Sequence, residues 1–403
     1  MKIKELNFIP VLLGNDINTY SMARAFHEEY EIKSIVIGKY NNGPSCNSKI
    51  IDFRAIKTID EENSFLDVMN KLSIENQNKK LILIGCGDNY ISLISKNKYK
   101  LPNNFIVPYI DYELMEKLIK KEKFYEMCKK HNIDYPTTFI YKKEMAENFI
   151  LPFNFPVIVK PSNSVDYWNH SFNSQKKVYK LDTSEQLNKV MKEIYDSGYG
   201  DLLIIQDYIP GDDTFMHVLT CYSDKNKKVK MMALGHVLLE EHTPHGLGNH
   251  AVIINEFNEE LINKIKKFLE DINYCGFSNF DIKYDIRDNK YKVFEINIRQ
   301  GRSNFYVTGA GYNIAKYIVE DYIYNKELEF NIVKNKKLWL VVPIKVAFKY
   351  VKPIELKDEM KLLIQNKNVI NPLFYKDDYK IKRLFYLLKS HFSHFIKYKK
   401  YYA

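Results

Sequence analysis

The first 110 residues alternate between short apolar runs and segments with a helical spacing of apolar positions. Four runs are almost wholly apolar: residues 8–13, 32–37, 81–84 and 105–110. Runs of this kind, separated by helices such as the one predicted over residues 18–29, indicate a parallel sheet that is covered on both faces. Glycine turns follow the first and third runs, at Gly14 and Gly87, and open α/β sheets bind ligands at such carboxyl ends. Neither turn matches G-x-G-x-x-G, so we exclude a dinucleotide site, and either turn geometry or ligand binding can explain the glycines.

A Lys- and Glu-rich helical segment, residues 111–131, comes next. Pro136 marks its end, because the residue before a proline avoids the helical conformation. We interpret residues 111–136 as a linker helix. Beyond it, strands are predicted at residues 155–160, 177–179, 201–206, 215–222, 230–239, 281–285, 291–299 and 338–345, and helices at residues 184–197, 259–271 and 309–325. The fold class is therefore α/β in the N-terminal part and α+β in the rest.

Composition narrows the class of protein. The hydrophobic fraction of 45% supports a substantial core, and 403 residues suffice for two or three domains. The five cysteines are scattered and include no C-x-x-C pair, which argues against a disulfide framework or a zinc site and favours a reducing compartment. Because no apolar run has the length of a membrane span or the pattern of a signal peptide, we expect a cytoplasmic protein.

The net charge of +10 is concentrated near the C-terminus. Residues 379–403 hold seven Lys or Arg and no acid, which leaves a net charge of +3 for the rest of the chain. This distribution is not a nucleic-acid footprint, and no nucleic-acid partner is expected. At residues 380–400 the apolar residues share one helical face and most basic residues lie off it. Two interpretations stay open for this tail: a terminal helix packed on the body, or peripheral contact with the inner face of an anionic membrane.

The most informative stretch is residues 281–299, where two strand patterns are separated by polar turn residues. In the second strand, Glu295, Asn297 and Arg299 alternate with apolar residues and therefore share one face. Two hard oxygen ligands beside an arginine are what a magnesium–polyphosphate complex needs. By itself, the pattern fits the solvent-facing side of a half-buried antiparallel strand at least as well.

The order and spacing of several motifs change this balance. An apolar strand ends in Lys160, a second one about 45 residues later runs into the sequence QDYIPG at residues 206–211, and the hairpin carries D-(13 residues)-E-x-N-x-R. In this arrangement residues 115–320 resemble the ATP-grasp superfamily. The resemblance implies a parallel pre-ATP-grasp α/β domain followed by a two-lobed ATP-grasp fold. The segments become a pre-ATP-grasp domain (1–110), a linker helix (111–136), a lid lobe (137–203), a catalytic lobe (204–330) and a C-terminal strand with the basic tail (331–403).

The resemblance implies ATP as the nucleotide and assigns residues to its phosphates. Lys160 resembles the lysine that reaches the α- and β-phosphates, and Lys123 resembles a basic residue that contributes from the linker helix. The loop after Lys160 departs from the family because it is not glycine-rich. Hydroxyl groups such as that of Ser162 can still bind phosphate there.

The resemblance also implies contacts to the adenosine part of ATP. The backbone of Asp207, Tyr208 and Ile209 resembles the hinge that hydrogen-bonds adenine, with Gln206 at its start. Asp213 resembles the acid that accepts hydrogen bonds from the ribose hydroxyls.

For the metal, the resemblance implies Asp281, Glu295 and Asn297 as ligands of two Mg²⁺ ions, with Mn²⁺ as an alternative. Arg299 resembles the arginine that holds the transferring γ-phosphate. Directly opposed residues of antiparallel strands share a face, so Asp281 joins the other ligands if the hairpin connection has three residues, 288–290.

The reaction that the resemblance implies is ligation of a carboxylate to an amine. ATP converts the carboxylate to an acyl phosphate, and an amine then attacks it, with Lys160 and Arg299 stabilising the charge that develops. Arg302 is the candidate that binds the substrate carboxylate, because the arginine fork suits bidentate binding. A ligase acting on another peptide, a polyamine or a polysaccharide stays open, as do a phosphotransferase and a nucleotide-binding module without turnover.

Within the superfamily, the chain resembles the D-aspartate ligases of peptidoglycan cross-bridge synthesis. The resemblance lies in the total length, the hinge at residues 209–213, the loop at residues 243–248 and the run at residues 299–302. It implies an amino-acid substrate, D-aspartate, whose β-carboxylate is joined to the lysine side chain of a UDP-linked or lipid-linked stem peptide.

Overall fold

The computed structural model describes residues 6–145, 149–244 and 246–402. The chain divides into two compact units. The first unit comprises Met1–Met115, Asp213–Phe280 and Asn297–Ala403, and the second comprises Glu116–Asp212 and Asp281–Ile296. Each unit contains an apolar core of its own. The first unit thus combines the N-terminal domain with most of the predicted catalytic lobe and the tail.

A parallel sheet forms the N-terminal part of the first unit, as the apolar runs predict. Its strands are β1 (Phe8–Leu13), β2 (Ser34–Gly38), β3 (Ile51–Ala55), β4 (Lys80–Gly85) and β5 (Phe105–Ile106), and the helices between them are α1 (Ile17–Tyr30), α2 (Glu62–Glu75) and α3 (Asp88–Asn97). The strand order is β3-β2-β1-β4-β5, with every pair parallel. The sequence pattern missed β3 because only Ile51 of its five residues is buried.

Two helices stand where one linker helix was predicted over residues 111–136. They are α4 (Tyr112–Ile119) and α5 (Lys121–Lys130). The backbone leaves the helical conformation between them, at Lys120, with φ −81° and ψ 114°. Helix α5 buries Phe124, Tyr125 and Cys128, whose spacing places them on one side of the helix.

The second unit is built on an antiparallel sheet. Its strands are β6 (Thr138–Tyr141), β7 (Val157–Pro161), β8 (Tyr179–Leu181) and β9 (Leu203–Asp207), and its helices are α6 (Ser164–Asn169) and α7 (Ser184–Asp196). The strand order is β6-β9-β7-β8. Thr183 caps α7 by accepting a hydrogen bond from the backbone of Gln186. The buried face of α7 joins the apolar residues of the sheet in one core, which fixes the strand that ends in Lys160.

The remaining strands are β10 (Met216–Ser223), β11 (Val229–Glu240), β12 (His250–Glu256), β13 (Gly276–Asp285), β14 (Lys290–Asn297), β15 (Asn331–Ile332), β16 (Leu338–Leu340) and β17 (Val369–Ile370). The remaining helices are α8 (Glu259–Asp271), α9 (Phe305–Gly309), α10 (Ile314–Tyr322), α11 (Ile344–Tyr350), α12 (Ile354–Gln365) and α13 (Ile381–Tyr401). In the first unit the strand order is β13-β10-β11-β12-β16-β17, with β15 beside β11. Strand β13 continues into the second unit, where it neighbours β14.

The turn between β13 and β14 differs from its prediction. It has four residues, 286–289, and the predicted three-residue connection is wrong. Asn289, at the end of this turn, has a φ of 57°. A left-handed residue at this point is typical of a bulged hairpin turn, which shifts the register of the strands by one residue. Asp281 and Glu295 hydrogen-bond to each other although the connection is longer than three residues.

Helix α13 is anchored within the first unit by a buried ion pair. The guanidinium of Arg383 lies 3.0 Å from the carboxylate of Asp378 and over the ring of Tyr20 at 4.0 Å. The same carboxylate accepts hydrogen bonds from the hydroxyls of Tyr20 and Ser48, both at 2.8 Å. This network ties the C-terminal helix to α1 and to the segment that precedes β3. Across the described ranges, the helices include none with the length and apolar character that crossing a membrane requires.

Candidate active site

Lys160 lies at the end of β7 and is 9% exposed. Its ammonium donates a hydrogen bond to the hydroxyl oxygen of Tyr125 at 3.3 Å and lies 5.5 Å from the centre of the Phe294 ring. The Tyr125 hydroxyl in turn donates to the carbonyl oxygen of Phe294 at 2.6 Å. A strand, a helix and the hairpin therefore meet around this one ammonium group inside the second unit.

The charges around Lys160 form a compact cluster. The pKa of Lys160 is lowered to about 7, mainly by burial. The positive charges of Lys121 and Lys177 also lower it, and together they outweigh the carboxylates of Glu295 and Asp281, which raise it. For Glu295, burial favours the neutral acid, but the three lysines and the hydrogen bond with Asp281 outweigh it and hold the pKa below its usual range. Two carboxylates and three lysines thus act on one another, around a Lys160 that is buried and a Lys177 that is exposed.

This donor set suits a divalent cation with a polyphosphate. Two carboxylates that touch repel each other unless a proton or a cation is shared between them, so a divalent cation can take the place of the proton in the hydrogen bond between Asp281 and Glu295. Hard carboxylate oxygens are the ligands that Mg²⁺ prefers. Asn297, the third predicted ligand, belongs to the first unit, where its amide donates to the carbonyl oxygen of Asn279 at 3.5 Å.

The lysine of α5 that acts on this cluster is Lys121, whereas the side chain of the predicted Lys123 is exposed. Lys121 precedes the buried Tyr125 by four residues, so both lie on the same side of the helix. That spacing was the signal in the sequence for Lys121. The hydroxyl of Ser162 is buried and donates to the carboxylate of Glu122, so a phosphate that binds Ser162 has to displace this acid.

The predicted adenine hinge, residues 206–209, is largely engaged in the second unit's own structure. The side chain of Gln206 is buried and hydrogen-bonds within the sheet. The backbone N–H of Asp207 donates to the carbonyl oxygen of Thr137 at 3.0 Å, and its carboxylate accepts from Arg287 at 2.6 Å. Within the predicted hinge, the backbone of Tyr208 and Ile209 is therefore left as the candidate for adenine contacts.

The predicted ribose acid, Asp213, begins the second segment of the first unit. Its carboxylate accepts from the backbone N–H of Glu240 at 2.9 Å and from the Nε2 of His242 at 2.8 Å. The hydrogen bond to Asp213 raises the pKa of His242 above its usual range. The structure thus joins Asp213 to the loop that follows β11, in which His245 lies outside the described residues.

Arg299 makes a two-point contact that sequence reasoning did not anticipate. Its Nε and Nη2 lie 2.7 and 3.3 Å from the two carboxylate oxygens of Asp88, and its Nη2 also donates to the amide oxygen of Asn297 at 3.4 Å. Asp88 directly follows Gly87 and is the first residue of α3. Because the Asp88 side chain is 71% exposed, an anionic ligand can replace it on Arg299 at little cost.

Arg302 is only half satisfied. Its Nη2 donates to the carboxylate of Glu241 at 3.1 Å, whereas its Nη1 is buried and meets no hydrogen-bond partner in the part of the chain that the structure describes. His250 lies close by, and burial together with the charge of Arg302 lowers its pKa to about 4, so it stays neutral at physiological pH. A buried guanidinium nitrogen without an acceptor is costly, and a carboxylate ligand would satisfy it.

Comparisons with known proteins connect these residues to a family. No protein-family model matches the chain. A D-aspartate ligase from Enterococcus faecium is 43% identical over 413 residues, covering 99% of this chain and 98% of the relative. The chain belongs to the D-aspartate ligase family. The resemblance inferred from the hinge, the loop and the arginine run is thereby confirmed.

Solved structures similar to this D-aspartate ligase family member share its fold. N5-carboxyaminoimidazole synthetase from Staphylococcus aureus, complexed with ADP, has a TM-score of 0.61 at 15% identity and covers 90% of this chain and 88% of its own. L-amino acid ligase from Bacillus licheniformis has a TM-score of 0.55 at 14% identity, with 79% and 75% covered. The ATP-grasp fold is therefore confirmed, and this family member is an ATP-dependent ligase that joins a carboxylate to an amine. A phosphotransferase is not favoured.

Proposed function

We propose that this chain uses ATP to join the β-carboxylate of D-aspartate to the lysine side chain of a peptidoglycan stem peptide. The observation that carries the proposal is the full-length match to a D-aspartate ligase, at 43% identity with 98% of the relative covered. The stem peptide is UDP-linked or lipid-linked. Because lipid-linked precursors lie at a membrane surface, peripheral contact of residues 380–400 with that surface is part of the proposal.

In the second unit, Lys160 binds the α- and β-phosphates of ATP, and Lys121 takes the supporting role that the sequence analysis predicts for Lys123. The lowered pKa of Lys160 supports this role, because a polyphosphate supplies the negative charge that the buried ammonium lacks. A bound nucleotide therefore draws a proton onto Lys160 at pH values above about 7. The backbone of Tyr208 and Ile209 binds adenine.

Asp281, Glu295 and Asn297 would hold Mg²⁺, with two ions proposed and Mn²⁺ as the alternative. Bound there, the metal would neutralise phosphate oxygens of the nucleotide. The contact between Asp281 and Glu295 supports the assignment, because it places two carboxyl groups where a divalent cation can replace the proton that they share.

In the first unit, Arg299 exchanges Asp88 for the transferring phosphoryl group, and the free Nη1 of Arg302 binds the carboxylate of the amino-acid substrate. The half-satisfied guanidinium supports the second role. Glu241, which already accepts from Nη2, holds the plane of the guanidinium so that Nη1 stays directed at the ligand.

The test is an ADP-release assay with D- and L-amino acids, each with and without a UDP-linked stem peptide. We expect release that depends on D-aspartate together with the peptide, and a product with one amide more. Glu295→Ala serves as the negative control for metal-dependent turnover. Absence of any D-aspartate-dependent signal would refute the substrate, and release without amide formation would instead indicate a phosphotransferase.

A further inference from the structure

The outer face of helix α13 is unusually apolar for a surface. Six large side chains on it are exposed, with Ile381 at 90%, Phe385 at 74% and Ile396 at 73%. The full set, which we call the docking face, is Ile381, Phe385, Leu388, Phe392, Phe395 and Ile396. Their spacings of three, four and seven residues place them in one stripe along the 21-residue helix.

The opposite side of α13 is already packed on the first unit. Arg383, Leu387, His394 and Tyr398 are its buried residues. The Tyr398 hydroxyl donates to the carbonyl oxygen of Glu240 at 2.6 Å. The tail is thus a terminal helix packed on the body, and it also has an exposed apolar side. The docking face is not needed for the internal packing of α13.

The charges beside the docking face have one sign. Lys382 and Lys389 each directly follow a residue of the face, and both are exposed. Lys399 lies on the same side of the helix, near its end. Residues 379–403 contain no Asp or Glu, so no acid offsets these lysines within the segment. An apolar stripe bordered by cations matches an anionic bilayer, where apolar side chains enter the headgroup boundary and lysines reach the phosphates.

A second copy of the chain is a poorer match for this surface. Two docking faces brought together would place two sets of lysines against each other, and like charges across an interface are unfavourable. We propose that α13 docks the first unit on the surface of a bilayer that contains anionic phospholipids, with the docking face inserted and the bordering lysines on the phosphates. The inference specifies the membrane contact of the proposed function, and it does not depend on which substrates are ligated.

Docking through α13 has a consequence for the loop that follows β11. Tyr398 and His394 line a small cavity together with Glu241 and His242. Glu241 is the partner of Arg302, the proposed carboxylate-binding residue. The docking face lies on the outer side of α13, and the cavity lined by Glu241 and His242 lies on its inner side. Docking would therefore hold this cavity beside the headgroup layer.

The experiment is co-sedimentation of the full chain with vesicles of phosphatidylcholine plus phosphatidylglycerol, and with vesicles of phosphatidylcholine alone. We expect binding to the first vesicles at low salt, weaker binding as salt increases, and little binding to the second. The double variant F385S/F392S should reduce the affinity at least about tenfold, because both rings leave the headgroup boundary. Ile74→Ser, at a 68% exposed position of α2, is the matched control and should bind like the wild type.

A second pair of variants tests the charges. Lys382→Gln with Lys389→Gln should reduce binding to anionic vesicles about 25-fold, since each lysine near such a surface contributes about fivefold. Lys71→Gln on the exposed side of α2 is the control. Equal losses in the control variants, or binding that ignores phosphatidylglycerol, would overturn the proposal.

Two further readouts separate the possible failures. ADP release with a UDP-linked peptide, measured without vesicles, should be unchanged in F385S/F392S. A wild type that turns over normally but never sediments with vesicles would refute docking and leave the ligase proposal intact. A wild type that binds vesicles but shows no D-aspartate-dependent ADP release would refute the ligase proposal and leave docking intact. Self-association that F385S/F392S abolishes, without vesicle binding, would make the docking face a subunit interface and refute the inference.

Discussion

Lys160 gives the proposed nucleotide site a pH response that can be measured directly. Burial and the neighbouring lysines lower its pKa from 10.5 to about 7. Above that value the free protein carries a neutral amine, whereas a polyphosphate favours the ammonium form. The affinity for a nucleotide should therefore decrease as the pH rises through 7, because each binding event must first supply a proton to Lys160.

The size of the effect follows from the pKa. If Lys160 stays protonated in the complex, the apparent Kd is multiplied by one plus the ratio of neutral to protonated lysine. With a pKa of about 7, this factor is about 1.1 at pH 6 and about 11 at pH 8. The Kd should thus increase about tenfold between these values, which corresponds to about 1.4 kcal/mol.

The assay is titration calorimetry of ADP with Mg²⁺ across this pH range. Lys160→Arg keeps a fixed positive charge, since arginine does not lose its proton in proteins, and its profile corrects for the ionisation of the nucleotide. Lys121→Gln removes a neighbouring charge and should move the rise in Kd to higher pH, because the pKa of Lys160 increases. Lys123→Gln lies on the same helix with an exposed side chain, and we expect it to leave the profile in place.

Two outcomes would refute this reasoning. A wild-type profile no steeper than that of Lys160→Arg would mean that Lys160 is protonated throughout, so its burial would not set the pH response. A shift in Lys123→Gln with none in Lys121→Gln would mean that Lys121 is not the lysine that acts on Lys160, and the sequence prediction of Lys123 would stand.

Three other predictions concern single residues. Glu295→Gln should reduce Mg²⁺-dependent ADP release at least about 100-fold, and wild-type turnover in this variant would contradict the metal assignment. Arg302→Gln should increase the KM for the amino acid about 100-fold, the equivalent of about 2.7 kcal/mol, and leave the KM for ATP unchanged; equal changes in both would exclude a carboxylate-specific role. Arg383→Met should lower the free energy of unfolding in urea by about 3–5 kcal/mol, because it leaves the buried Asp378 carboxylate unpaired. Arg54→Met, which breaks a more exposed pair, should lower it by less than about 1 kcal/mol, and similar losses in the two variants would contradict the role of burial.

The sequence predicted those parts of the fold that depend on local apolar patterning. Four of the five parallel strands can be recognised in the sequence as apolar runs. Strand β3 cannot, because only one of its five residues is buried. The sequence also predicted which residues of the hairpin share a face, since side chains alternate along a strand. Its turn was not, because Asn289 adopts a left-handed conformation that the sequence permits but does not require.

The site could be predicted only as far as its residues lie in recognisable motifs. Lys160, Asp281 and Glu295 come together as expected, within the second unit. The partners of the arginines could not be found, because Arg299 meets Asp88 across 211 positions of the chain. The lysine of α5 that acts on Lys160 is Lys121 and not the predicted Lys123, since several lysines occur in that segment and the packing of Tyr125 decides which one lies near the cluster.

The division of β13 between the two units has a consequence for how the protein is made. Residues 116–212 leave the ribosome well before Asp281–Ile296, and the intervening stretch belongs to the first unit. Until Asp281 has been synthesised, Lys160 has neither of its carboxylate neighbours, and the second is missing until Glu295 follows. The charge cluster around Lys160 can therefore form only after the intervening segment of the first unit has been synthesised. For the same reason, no single cut in the gene releases the second unit whole, and isolating it for study requires a circularly permuted or two-fragment design.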